Sequence, residues 1–180
     1  MNRQAIFRSL SVIALCAAAA VIAGCATATK PEDMVPTAAI AGTQHKASTS
    51  VVVAGGKDTD ALGKSQISND AFQQAIAQSI EKNKSFSSVV KAPGGDYTLA
   101  VTVVNMDQPS FGFSFTVKME AAWSLKKADG TVVMQETIKS EGTAGATEAF
   151  AGVERLRLAN EYAARANIAA ALEKIGKLNF

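Results

Sequence analysis

Apolar and polar residues alternate without a break from position 111 to position 125. Phe111, Phe113, Phe115, Val117, Met119, Ala121, Trp123 and Leu125 take the odd places, and Gly112, Ser114, Thr116, Lys118, Glu120, Ala122 and Ser124 the even ones. Successive side chains of a strand point to opposite faces, so this order predicts an antiparallel strand with one face buried and one wet. Phe111 and Phe113 count as core on that pattern, because the alternation runs on to Leu125. At ~3.4 Å per residue the run is about 50 Å long against a usual ~17–20 Å, so the strand must bend or project beyond its neighbours. Three further strands are predicted. A β-branched stretch at 48–54 stops at Gly55-Gly56; Tyr97, Leu99, Val101 and Val103 alternate over 96–105; and Val132, Met134 and Ile138 share one face of 131–140 after a turn at Asp129-Gly130. A turn-rich connection carrying Met106 and Pro109 leads from the second strand to the long one.

The period changes in two places. Phe72, Ala75, Ile76, Ser79 and Ile80 recur at offsets of three and four and trace one helical stripe. Ser68 is placed to cap its first amides, Asp70 suits the positive end of the helix dipole, and Ile67 with Phe72 has the spacing of a hydrophobic staple. A second helix is predicted over 150–175, stopping near Gly176. Its stripe is narrow and mostly small, with Leu158, Ala159, Tyr162, Ala163, Ala166, Ala169 and Ala170. Arg157, Glu161 and Arg165 fall on the other side, where Glu161 and Arg165 form an i,i+4 pair expected to lie in water. Four strands ~4.8 Å apart give a sheet about 19 Å wide, which two helices of ~10 Å diameter cover once. The order β-α-β-β-β-α therefore predicts an α+β fold: a two-layer sandwich with a four-stranded, mainly antiparallel sheet and two helices on one face.

Upstream of the first strand no period of either kind is sustained. Residues 26–50 are rich in Ala, Thr, Ser and Pro and are expected to form a flexible tether; about 20 such residues at ~3.3 Å each reach some 60 Å. The single histidine, His45, lies in this stretch, where a solvated linker role is expected. Further upstream, Arg3 and Arg8 precede an uncharged apolar run at 9–22 and the small residues Ala23 and Gly24, the three-part form of an export signal.

Ile22-Ala23-Gly24-Cys25 resembles the lipobox of bacterial lipoproteins, which ends at a cysteine that is acylated and becomes the new N-terminus. The resemblance implies a signal peptide at 1–24, lipid attachment at Cys25, a lipidated tether over 25–47 and a single periplasmic domain over 48–180. In Gram-negative lipoproteins an Asp after the modified cysteine is associated with inner-membrane retention. Ala26 stands there, so the implied location is the outer membrane, facing the periplasm. The order of elements over roughly 48–176 also resembles the small outer-membrane lipoproteins typified by the lipoprotein subunit of the lipopolysaccharide-assembly translocon, at the level of fold.

Composition narrows the function. Of the 180 residues, 18 are Lys or Arg and 16 Asp or Glu. Losing Arg3 and Arg8 would leave 16 of each and no net charge, which removes the electrostatic case for nucleic-acid binding. Cys16 lies in the signal run, so an acylated Cys25 leaves no thiol nucleophile, and one histidine in a linker supplies neither a catalytic constellation nor a zinc set. Gly63-Lys64-Ser65 lacks the glycine of a phosphate loop, which would fall at Asp58. The calcium-like start at Asp58 meets Leu62 where a ligand is needed. No metal or cofactor is expected. The expectation is a non-enzymatic envelope module, membrane-bound through Cys25, that binds or helps assemble another envelope component, a protein or a lipid. Candidate contact residues are Ser114, Thr116, Lys118 and Glu120 on the wet face of the long strand, Met106 and Pro109 in the connection before it, and an unpaired sheet edge. The alternative is a carrier for a lipid or amphiphile, with a pocket near Tyr97, Phe111, Phe113 and Tyr162.

Overall fold

The computed structural model describes residues 25–179. Its elements are β1 (Ser48–Ala54), α1 (Asn69–Asn83), β2 (Ser88–Val90), β3 (Tyr97–Asp107), β4 (Ser114–Lys127), β5 (Val132–Gly145) and α2 (Gly152–Ile175), preceded by one 3-10 turn at Glu32–Met34. The fold is α+β in two layers, as the pattern predicts. The sheet, however, has five strands in the order β2-β1-β3-β4-β5, and it is mixed. β1 runs parallel to both β2 and β3, while β3, β4 and β5 are antiparallel neighbours. The four-stranded, mainly antiparallel sheet is corrected on both points. The parallel pairs follow from α1, which carries the chain back along the sheet so that the next strands start at the same end as β1. The three residues of β2 escape a periodicity test because they are too few to show a period.

The helices meet the sheet through one apolar core. In α1 the buried residues are Phe72, Ala75, Ile76, Ser79 and Ile80, the predicted stripe, and Ser68 Oγ accepts from the Ala71 N–H at 3.1 Å. Trp123 from β4 sits beneath Phe72, edge to face at 6.3 Å, and its Nε1–H donates to Asn167 Oδ1 of α2 at 2.8 Å. Asn167 Nδ2 in turn donates to the Ile138 carbonyl at 2.9 Å, so a buried polar link ties β4, α2 and β5 together. α2 lies close to the sheet at Gly142: a Cβ there would stand 2.2 Å from Ala163 N and 2.4 Å from the Ala159 oxygen.

The long strand is shorter at its start than predicted. β3 stops pairing at Asp107↔Lys118 and β5 at Gly145↔Ser114, so residues 111–113 have no strand on either side and β4 begins at Ser114. Gly112, at φ +146°, marks the departure. Phe115 is buried as expected, but Phe111 and Phe113 are each 89 % exposed, which overturns their placement in the core. Beyond a bulge between Val103 and Asn105, β3 continues to Asp107, and Met106 pairs with Met119 as part of the sheet instead of standing in a turn.

Gly142→Ala is expected to lower unfolding stability by about 1–3 kcal/mol, because the added methyl meets helix backbone that cannot yield. Gly145→Ala, whose Cβ would make only ordinary contacts at 3.8 Å and beyond, should stay within about 0.5 kcal/mol of the parent. Urea titration followed by tryptophan fluorescence measures both.

Candidate functional site

β1, β3 and β5 end, and β4 and both helices begin, at the same end of the sandwich. Three loops, 55–68, 108–113 and 146–151, cluster there. Buried amides hold them in register. Asn160 Nδ2 donates to the Ser65 carbonyl at 2.8 Å, and Gln108 Nε2 donates to that carbonyl at 2.9 Å and to Asn160 Oδ1 at 2.8 Å. Lys64 Nζ reaches Ser110 Oγ at 3.1 Å, and Arg155 Nη1 donates to the Phe113 carbonyl at 3.1 Å while lying 5.2 Å over the Phe115 ring. The third loop is closed by Glu148, which accepts from the Gly145 N–H at 2.7 Å and from Tyr162 Oη at 2.9 Å. Those two bonds hold the Glu148 carboxyl below the usual carboxylate range.

Cys25 belongs to this end. It is exposed and unpaired by any disulfide. The next residue is already fastened: the Ala26 N–H donates to the Ala61 carbonyl at 3.0 Å, and Thr27 Oγ1 lies 3.3 Å from Glu154 Oε2. From there residues 26–47 run alongside α2 to the opposite end of the molecule. Thr29 Oγ1 donates to the Gln66 carbonyl, the Lys30 N–H to Glu161 Oε1 at 2.9 Å, Lys82 Nζ to the Pro36 carbonyl, and the Thr43 N–H to the Gly176 carbonyl at 2.7 Å. Met34 is fully buried within the core cluster. His45 is buried too, with Nε2 3.1 Å from the Ile175 carbonyl and its ring 5.4 Å from that of Phe86. The expected flexible tether with a solvated histidine is therefore corrected to a docked strap.

The strap rewrites the faces of α2. Leu156, Ala159, Ala163, Ala164, Ile168, Ala171, Leu172 and Ile175 are buried, whereas Ala166 from the predicted stripe is exposed. Arg157 and Glu161, expected in water, are buried, and Glu161 is 0 % exposed. Glu161 pairs with Arg157 one turn back instead of with Arg165. Arg157 also bridges to Glu154 and lies 3.5 Å from Asp33 of the strap, while Arg165 donates to the Asp33 carbonyl and stacks 5.1 Å over Tyr162. Burial pushes the Glu161 carboxyl up, against the pull of the Lys30 amide and the Arg157 guanidinium. The Arg157 hydrogen bond holds Glu154 down.

Ile22, Ala23 and Gly24, and the signal segment with them, lie outside the described residues. Ser114, Thr116 and Lys118 are exposed on the uncovered sheet face, and Glu120 is half-buried there. These side chains pair across to β5: Thr116 with Thr143 at 2.8 Å, Glu120 with Lys139 at 2.9 Å, and Lys118 with Glu141 at 3.8 Å. Pro109 is half-buried in the loop cluster, away from Met106 in the sheet. The four residues expected to line a carrier pocket do not form one. Phe111 and Phe113 stand at the loop end, Tyr97 is buried near Phe86 at the other, and Tyr162 lies on the strap side of α2. Among the described residues no helix is long and apolar enough to cross a membrane, and no three His, Cys, Asp or Glu residues are grouped to hold a metal. Leu62, Phe150, Gln108 and Asn160 were not singled out by periodicity. Asn160 interrupts the apolar positions of α2, and Leu62 and Phe150 are lone apolar residues in polar loops, which is the signal they carry.

Two predictions test the strap. Arg157→Met should cost about 3–5 kcal/mol at pH 7, since it leaves a buried carboxylate without its partner. An unfolded glutamate titrates near ~4.3, and burial raises the folded value; the folded state then binds more protons between the two, and stability falls as pH rises through that window. The deficit of Arg157→Met should accordingly shrink as the pH drops toward that value, and Arg157→Met/Glu161→Gln should recover most of it at pH 7. In hydrogen exchange, the amides of Ala26, Lys30, Ile40 and His45 should be protected; exchange at the rate of an unstructured peptide would show a free tether.

No family model matches the sequence, and no curated protein matches it. Among solved structures it is similar to a Xanthomonas campestris protein of the DUF330 family, at 15% identity and a TM-score of 0.53, over 85% of this chain and 91% of that one. It is also similar to a candidate lipoprotein from Caulobacter crescentus, at 14% identity and a TM-score of 0.50, over 71% of this chain and 87% of that one. At these identities what is shared is the fold, an α+β sandwich.

Proposed function

We propose that the protein is an outer-membrane lipoprotein. Cleavage behind Ile22-Ala23-Gly24 frees Cys25 for acylation, and residues 25–180 face the periplasm. The observation that carries this reading is the position of Cys25: exposed, and one residue before a backbone held by the domain. An acyl chain contributes ~0.8 kcal/mol per buried methylene, and two or more chains anchor stably. With the strap docked, such an anchor brings the loop end to the leaflet instead of letting the domain stand some tens of ångströms away. The Caulobacter neighbour's description agrees in kind, as does Ala26 in place of an Asp.

The domain's role on this reading is binding, not catalysis. Its buried titratable groups hold the strap: Glu161 through Arg157 and Lys30, His45 against Ile175. The open sheet face around Ser114, Thr116, Lys118 and Glu120 is the proposed contact with another envelope protein, together with the edges at β2 and β5. Exposed cross-strand ion pairs are worth ~0–1 kcal/mol, so Lys118 and Glu120 can exchange Glu141 and Lys139 for a partner's charges at little cost. The carrier reading is less favoured, because Tyr97, Phe111, Phe113 and Tyr162 do not form one pocket: Phe111 and Phe113 share a cleft at the loop end, and Tyr97 and Tyr162 lie elsewhere.

Radiolabelled palmitate should enter the wild type and not Cys25→Ser, and mass spectrometry should find the mature chain starting at an acylated Cys25. An unmodified start elsewhere would sink the anchor. A photocrosslinking residue at Thr116 should give a discrete adduct in intact cells that the same residue at Lys177 does not; equal labelling at both sites would count against the sheet face as the contact.

A further inference from the structure

We infer that the loop end is itself a membrane-inserting surface, seated in the leaflet that receives the chains on Cys25; this rests on the proposed acylation. Leu62, Phe111, Phe113 and Phe150 are 95 %, 89 %, 89 % and 98 % exposed, the four most exposed large apolar side chains among the described residues. The other exposed large apolar residues, Val52, Val104 and Val132, are smaller and sit in strands, not on the loops. The four come from three separate loops, yet the three phenylalanines converge, beside the loop that carries Leu62. Phe111, Phe113 and Phe150 line one cleft of about 540 Å³ with Arg155, and Phe150 shares a second, of about 720 Å³, with Gly63, Lys64 and Pro109. Leu62 follows Ala61, the residue that holds Ala26. The attachment atom of the acyl chains and the apolar tips therefore leave the domain at the same end.

Water is a poor environment for such a cluster, and a monomeric domain seldom leaves one uncovered without a use. The loops are fastened from behind by Asn160, Gln108 and Arg155, so the tips are presented on a braced platform and little ordering is needed on insertion. Aromatic rings are also the side chains enriched at membrane–water interfaces. Charge does not select the surface. The three loops carry Lys57 and Lys64 against Asp58, Asp60 and Glu148, and Arg155 is next to Glu154, so there is no excess of positive charge, and the occupant is the apolar zone of a phospholipid leaflet and not an anionic headgroup.

The test uses the mature protein purified from membranes and placed in phosphatidylethanolamine/phosphatidylglycerol vesicles with brominated acyl chains, in three variants: Phe113→Trp, Phe150→Trp and, at the far end, Val132→Trp. Trp123 is fully buried and is a constant background in all of them. Tips that enter ~5–10 Å past the headgroups should lose roughly half of the added emission at 113 and 150, more to shallow bromines than to deep ones, with no loss at 132. Quenching should not change with salt or with the fraction of phosphatidylglycerol. Mass spectrometry of the same sample reads Cys25. Acylated protein with no quenching at 113 or 150 overturns the insertion and leaves the anchor standing. Unmodified Cys25 with full quenching overturns the anchor and supports insertion on its own. A blue shift without quenching, together with crosslinked dimers through residue 113, makes the occupant a second copy and overturns the inference.

Discussion

Glu161 is a carboxylate with no exposure, set in the middle of a helix and covered by a segment with almost no regular structure of its own. A charge in that position is costly unless it is paired, and only Oε1 is met, while Oε2 has no hydrogen-bond partner. Arg157 supplies the pair from the same helix, and the Lys30 backbone supplies the hydrogen bond from the strap. Remove the strap, and the carboxylate faces water while Met34 leaves its place in the core. The strap is held by the burial of Met34 and by its backbone bonds to Ala61, Glu161, Asn83 and Gly176, which offset the cost of covering Glu161, and not by any propensity of residues 26–47; much of the molecule's organisation follows from its being held.

The first consequence is a fixed geometry between Cys25 and the domain. Because Ala26 is bonded to Ala61, Cys25 is held beside the three loops at the end of the sheet. The proposed anchor at Cys25 would give the sandwich one defined end toward the bilayer, with the sheet extending away from it and its polar face standing at the side. A free tether would have left all orientations open.

The second consequence is that α2 is wetted far less than its sequence suggests. One face packs on β4 and β5, where Gly142 lets the axis come close beside Ala159 and Ala163. Another carries the strap, and Asn160 and Asn167 anchor the loops and the sheet from positions between. Asn160 and Asn167 are tolerated inside this helix because each is matched to particular partners, which also fixes the register of what lies on it.

Local rules were enough for α1 and for most of the sheet. Five apolar residues at helical spacing and one capping serine define α1, and strict alternation defines β4 from Phe115 onward, because each of these signals is a property of the element itself. The lipobox resemblance is equally local, four consecutive residues. Whether an alternating residue has a neighbour to pair with is not local: Phe111 and Phe113 continue the pattern but lie past the last rungs of β3 and β5, and only the sheet's edges decide that they stand in solvent. The parallel direction of β1, the three residues of β2 and the burial of Arg157, Glu161 and His45 were likewise settled by what the rest of the chain places beside them. A charged residue reads as solvated until the segment that covers it is known, and residues 26–47 have no period by which the sequence could reveal that they cover anything.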